Sequence, residues 1–346
     1  MIKLLRLLEG PQTLGRGPAF WAGAALVLAV AAAIPAFEDG YTVGNLAYFL
    51  CWTPSAMGLC LIWGYGGALT FGQTAFFGIA GYAYGVLTLD FGSANGLTLA
   101  AVLAAVLLAA AVAALLGYFL FFGRISGVFL GIVTLSVTLV LERFMAQTAG
   151  PEWHIGAARL NGFNGMSGMP PLTIPWFGDD IALFPDTPLY YVLLALVALI
   201  YLGLRMLVNS RFGNVLVAIR ENEQRATMLG YDIRRYQLAA FVIGSALAAL
   251  SGVLYTAWGQ YITPSSMGIT AAALPVIWTA VGGRGDITAT LIGTLAVLAG
   301  FQALTIYGSQ YALVVMGALL LATVLLAPQG LVVGLASLLP SGRRRA

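Results

Sequence analysis

The sequence predicts an all-α fold, a polytopic transmembrane helical bundle of about ten spans with broken or re-entrant segments and both termini cytoplasmic. Three observations point to it. Of 346 residues, 60% are hydrophobic and only 8% charged, and the mean hydropathy is +0.92, whereas soluble domains carry charge on about a quarter of their residues. The apolar runs match the roughly 20 residues that a helix needs to cross a hydrocarbon core, which excludes a barrel of short alternating strands. Finally, 43 glycines are spread through the chain, the composition of helices that approach through small residues.

The apolar segments fall at 19–36, 45–63, 71–89, 97–122, 126–146, 188–208, 238–258, 269–282, 287–306 and 312–335. The first is long and lacks a small-residue cleavage site, so it reads as a retained helix and not a signal peptide. The second contains Cys51 and Cys60; nine residues apart on one helix, they face opposite ways, beyond disulfide reach, and read as buried apolar filler. Between the second and third spans, residues 64–78 carry Gly64, Gly66, Gly67, Gly72 and Gly78, and the short eighth span contains Pro275. Both are expected to be broken or re-entrant. Glu142 and Arg143 end the fifth span at the interface. The loop 147–187, with five prolines and several glycines, is expected to cap the pathway from outside. His154, the single histidine, has no cysteine near it, so no metal site is expected.

Residues 209–237 form the longest polar stretch. Residues 218–229 are good helix formers with Ile219, Ala226 and Leu229 at roughly helical spacing, and Gly230 follows where a glycine would close the helix. Its arginines alternate with Glu221, Glu223 and Asp232, which favours docking to a soluble partner over lying on anionic lipid. Basic residues set orientation. Lys3, Arg6 and Arg16, then Arg124, the group from Arg205 to Arg235, Arg284, and Arg343, Arg344 and Arg345 all fall on one face of a ten-span chain. Arg159 is the exception, and both termini are expected in the cytoplasm. A net charge of +3 leaves no surface for nucleic acid once arginines serve as anchors.

The spans are almost free of ionisable groups, unlike those of a carrier driven by protons or sodium. The glycine-rich stretch is the candidate substrate path: Gly66 and Gly67 allow an unwound backbone whose amide groups can solvate a polar solute. Thr70, Gln73 and Thr74 add neutral hydrogen-bonding groups, and Phe76 and Phe77 an apolar wall. Close helix packing is the alternative use of these glycines. Thr134 and Thr138 on the fifth span are further path candidates, although such hydroxyls often bond their own helix.

The run AIRENEQRATMLGYDIRRYQLAAFVIGSALAALSGVLY resembles the cytoplasmic loop and following helix of permeases of the branched-chain amino acid class of ATP-binding-cassette importers. GYGGALTFGQTAFFGIAGYAYGVL, RISGVFLGIVTLSVTLVLERF, GFNGMSGMP, LPVIWTAVGGRGDITATLIGTLAV and LLAPQGLVVGL are similar to family segments in family order. The pattern is nearest the M-type permease subunit, and urea and short-amide permeases share it. The resemblance implies a single permease domain in the inner membrane. Its coupling helix, with Glu221, Asn222, Glu223, Ala226, Leu229 and Gly230, would dock nucleotide-binding subunits, although Gln224 and Arg225 depart from the usual pattern. It further implies a homologous second permease subunit, an external solute-binding protein and branched-chain or other apolar amino acids as substrate, with urea or short amides as the alternative. No GxxxxGKS or GxxxxGKT motif occurs, so ATP hydrolysis is expected on another polypeptide and the chain is expected to be neither an enzyme nor a cofactor protein. An ion-coupled carrier or passive channel is the alternative of a different class.

Overall fold

The computed structural model describes residues 8–92, 96–176, 179–327 and 329–338. Helices stand at all ten apolar segments: α1 (Gly17–Ala33), α2 (Gly40–Leu59), α3 (Gln73–Phe91), α4 (Leu97–Phe122), α5 (Val128–Ala146), α6 (Thr187–Asn209), α9 (Ile233–Gly259), α10 (Ile269–Gly282) and both halves of α11 (Ile287–Leu326). Between α6 and α9 lie α7 (Arg211–Glu221) and α8 (Glu223–Met228), and α12 (Leu331–Leu338) follows α11. Among the described residues, 7 helical segments are long and apolar enough to cross a membrane. The others are α3, with 19 residues but many polar ones, α10, with 14 residues and an internal Pro275, and Gln310–Leu326.

Straight, the 40 residues of α11 would extend about 60 Å. Yet Gly330 abuts Gly283, only four residues before the start of α11. The helix therefore folds back on itself, and it does so at Gly308, whose φ of −166° and ψ of 57° are not helical. The expected tenth span, 312–335, is corrected on one point: its helix ends at Leu326, and Gly330, at φ +99°, starts the separate α12.

The long helix α9 packs against α2, α3 and α4, and the sequence makes room for it. A Cβ on Gly58 would lie 2.5 Å from the Gly244 carbonyl, and one on Gly244 2.6 Å from the Gly58 carbonyl, so these two backbones touch. On α4 the buried face is Ala101, Ala105, Ala109, Ala113 and Gly117, a four-residue repeat of the smallest side chains. Pro54 disturbs α2 where the Ser55 N–H needs a partner, and Ser251 of α9 accepts it at 2.9 Å. Trp52 stacks on Phe77 at 4.4 Å and meets Trp278 at 5.5 Å, joining α2, α3 and α10. Cys51 and Cys60 are buried free thiols.

Loop 147–187 contains short antiparallel strands: β1 (His154–Ile155) with β2 (Ala158–Arg159), β3 (Met166–Ser167) with β6 (Tyr261–Ile262) after α9, and β4 (Leu172–Trp176) with β5 (Asp179–Leu183). This cap seats side chains in notches along α3: Met267 at Gly78, Ile262 at Gly81, and Met166 and Met169 at Gly85. The opposite end of the bundle carries α7, α8 and most of the arginines, while Arg143 in the last turn of α5 and Arg159 in β2 lie at the cap end. Arg124 shares a cavity with Glu223 and Arg234, and Arg16, Arg220 and Arg284 share another of about 900 Å³. Lys3, Arg6, Arg343, Arg344 and Arg345 lie outside the described residues.

The single helix expected over 218–229 is two. At Asn222, with φ −162° and ψ 101°, the backbone is extended, so Glu221 ends α7 and Asn222 caps α8 by accepting from the Arg225 N–H at 2.9 Å. A short polar side chain that bonds its own backbone competes with the helix there.

Candidate functional site

The second span leaves its helix through a π-helical turn, Cys60–Tyr65. Gly66 N–H bonds the Leu61 carbonyl at 3.1 Å, Gly67 N–H that of Trp63 at 3.0 Å, and Ala68 N–H that of Ile62 at 3.1 Å. Gly67 sits at φ +76°, a conformation costly for a residue with a Cβ, and the chain then runs unwound to α3. Side chains of α5 hold this unwound piece. Phe71 N–H donates to Thr134 Oγ1 at 3.1 Å, and Thr138 Oγ1 donates to the Phe71 carbonyl at 3.3 Å. Both hydroxyls also donate back into their own helix, to Leu130 and Thr134 carbonyls at 2.9 Å. Thr70 Oγ1 accepts from Gly72 N–H at 3.0 Å, closing the turn into α3.

Gln73 opens α3 and is 1% exposed, yet neither Nε2 nor Oε1 has a hydrogen-bond partner. Thr74 Oγ1 is buried without a partner as well. Buried polar atoms are normally satisfied, and leaving one empty costs about 1–3 kcal/mol. These three polar atoms are unused at the start of α3, where the unwound backbone ends. Phe76 and Phe77 do not form one wall. Phe76 meets Phe241 edge-on at 5.6 Å, while Phe77 joins the Trp52 cluster on another face, as neighbours 100° apart on a helix must.

The second candidate region is 221–230. Gly230, at φ +87°, ends α8: its N–H bonds the Thr227 carbonyl at 2.9 Å and Tyr231 N–H the Ala226 carbonyl at 3.2 Å, the paired closure of a glycine-terminated helix. Ala226 is buried with Val215 and Ile219 of α7, packed by Ile233 and Tyr236 of α9. It anchors α8 to the chain and offers nothing outward. Glu221, Asn222, Glu223, Leu229 and Gly230 are exposed. Glu223 accepts from Gln237 Nε2 at 3.2 Å, a second tether to α9. Met228 and Leu229, 86% and 74% exposed, form an apolar tip on this rigidly held, otherwise polar projection.

Two arginines matter beyond the sequence expectation. Arg220, in the last turn of α7, donates from Nη1 to the Gly64 carbonyl at 2.6 Å and pairs with Glu221. Nothing local reveals this contact, because its partner is 156 residues away. Arg205 is wholly buried and holds residues 8–16 against the bundle with Asn209, Tyr65 and Asp286. Here a sequence signal exists: Leu189, Leu193, Val197, Tyr201 and Arg205 repeat every four residues along the buried face of α6. Burial raises the carboxyl of Asp286 above the usual range, opposed by hydrogen bonds from Leu14 and Ala289 and by the Arg205 charge.

Residues 41–324 match the family model described as branched-chain amino acid transport system / permease component. The chain is 27% identical to the high-affinity branched-chain amino acid transport system permease protein LivM of Escherichia coli, over 89% of this chain and 73% of that protein. It is 32% identical to the probable branched-chain amino acid transport permease protein LivM of Methanocaldococcus jannaschii, over 30% of this chain and 31% of that one. To the LivH permease protein of Escherichia coli it is 34% identical, over 35% of this chain and 40% of that one. No solved structure matches the chain.

Proposed function

The chain belongs to the family of permease components of branched-chain amino acid transport systems, and from that premise we propose that it is one permease subunit of an ATP-driven importer of branched-chain or other apolar amino acids in the inner membrane. The observation that carries this reading is the projection α8. It is short, capped at both ends, braced against α7 and α9, and exposes Met228 and Leu229. A passive pore or an ion-driven carrier has no use for such an element, whereas a nucleotide-binding subunit needs a firm knob to push. The face that carries α8 and most of the arginines is then cytoplasmic, and the cap formed by β1 to β6 is external and receives a solute-binding protein.

Substrate passes where the backbone is unwound. Residues 66–72, Gln73, Thr74 and the hydroxyls of Thr134 and Thr138 supply neutral donors and acceptors without a charge to trap a zwitterion. A homologous second permease subunit completes the path. In proteoliposomes holding this chain, that partner, the nucleotide-binding subunits and the solute-binding protein, leucine uptake is expected only with ATP inside the cell-equivalent face. Uptake by this chain alone, driven by an ion gradient or running passively, would overturn the importer reading. Titration of the solute-binding protein tests the substrate: tight leucine binding supports the choice, and urea binding without leucine binding replaces it.

A further inference from the structure

We propose that Arg220 is the positioning residue that carries movement of α8 to the unwound segment 66–72; this rests on the importer reading above. Arg220 stands two residues before Asn222, where the chain bends from α7 into α8. Its guanidinium links the last residue of α7, on the near side of that joint, to the end of the second span. Nε and Nη2 donate to Glu221 Oε1 at 3.1 and 2.6 Å, and Nη1 donates to the Gly64 carbonyl at 2.6 Å. A planar fork with several fixed donors holds two acceptors in a set geometry, whereas the three donors of a lysine ammonium rotate about one nitrogen and fix no such arrangement.

The Gly64 carbonyl is a suitable handle. It lies at the end of the π-helical turn, where carbonyls have run out of helical partners, and the bonds that close this turn go to Leu61, Ile62 and Trp63. The stem of Arg220 also lies against Gly67: a Cβ there would sit 3.1 Å from Arg220 Cγ. From the other side the Arg284 backbone abuts Gly64, and Cys60 Sγ donates to the Arg284 carbonyl at 3.2 Å. The turn is thus clamped between the α7 end and the α10–α11 connection. If α7 shifts, the turn must follow or the bond must break. Four residues beyond Gly67, the Phe71 backbone is tied to Thr134 and Thr138, so displacement of the turn reaches α5 as well.

A separate route exists through the apolar contacts of Ala226 with Ile233 and Tyr236 at the base of α9. Intermediate position alone does not decide between routes; a ratio does. In the complete transporter in proteoliposomes, leucine moved per ATP hydrolysed is compared for wild type, Arg220→Met and Arg220→Lys. With Arg220→Met, nucleotide-binding subunits are expected to copurify as before and ATP hydrolysis to persist, while leucine per ATP falls at least ten-fold. Arg220→Lys should fall between. If Arg220→Met does not assemble, Arg220→Lys decides, and a wild-type ratio in it overturns the proposal. The double variant Met228→Asp, Leu229→Asp tests the reading beneath it: retained nucleotide-binding subunits and normal uptake would remove the docking role itself. Loss of docking in that variant together with an unchanged ratio in Arg220→Met would leave the importer reading in place and assign transmission to α9.

Discussion

Replacing Arg205 with methionine should release residues 8–16 from the bundle while the transmembrane core stays folded. The guanidinium donates to the carbonyls of Leu8, Leu14 and Gly15 at 3.1, 3.2 and 2.9 Å and to Thr13 Oγ1 at 3.2 Å, all on that segment. It also donates to Tyr201 Oη at 2.8 Å and Thr288 Oγ1 at 3.2 Å, which tie it to α6 and α11. Phe20 and Trp21 cover it with ring centroids 4.8 and 5.1 Å away. Methionine keeps much of the length and apolar contact but leaves the Leu14 and Gly15 carbonyls without a donor, at about 1–3 kcal/mol each, while the Leu8 carbonyl keeps Asn209 Nδ2. Some hydration is regained as the segment lifts, so the net loss is about 2–3 kcal/mol, on the order of 10²-fold in the opening equilibrium. Hydrogen exchange of peptides covering 8–16, with the protein in detergent, reads this directly. Protection there should drop about 10²-fold, and Arg205→Lys should restore part of it. Unchanged protection would refute the clamp, and a loss spread evenly over α2, α3 and α9 would show that Arg205 supports the core and not the segment.

Gln73→Leu should raise stability by about 1 kcal/mol, because two buried polar atoms without partners are replaced by apolar ones, and should lower leucine uptake; thermal unfolding and uptake together check it, and higher stability with unchanged uptake would remove Gln73 from the path. Thr134→Val leaves the Phe71 N–H without its acceptor and should cost about 1–3 kcal/mol, with faster exchange over 69–73, whereas Thr134→Ser should behave as wild type. Asn222→Ala removes the cap of α8 at about 1 kcal/mol; exchange over 223–228 should quicken, and Asn222→Asp should restore it. Gly58→Val drives side-chain atoms into the Gly244 carbonyl, which should cost about 1–3 kcal/mol or more and lower the yield of folded protein in the membrane.

The sequence alone determined what depends on composition and on neighbours along the chain. Lipid admits helices that satisfy their own backbone, so the apolar segments could be located as helices, 7 of them among the described residues long and apolar enough to cross a membrane, and the glycines of 64–78 marked the place where the second span unwinds. Gly230 announced a helix end because a left-handed residue there must usually be glycine. Tertiary structure decided the rest. Whether Phe76 and Phe77 share a wall depends on Phe241 and Trp52, far away in sequence. The four-residue repeat along α6 turns Arg205 inward, yet only the folded bundle places the carbonyls of residues 8–16 around it. Arg220 looks like a solvated charge in a polar loop, yet it holds Gly64. An arginine carries the same charge and length wherever it stands. What surrounds it is set by segments that meet only when the bundle closes, and no local pattern encodes that meeting.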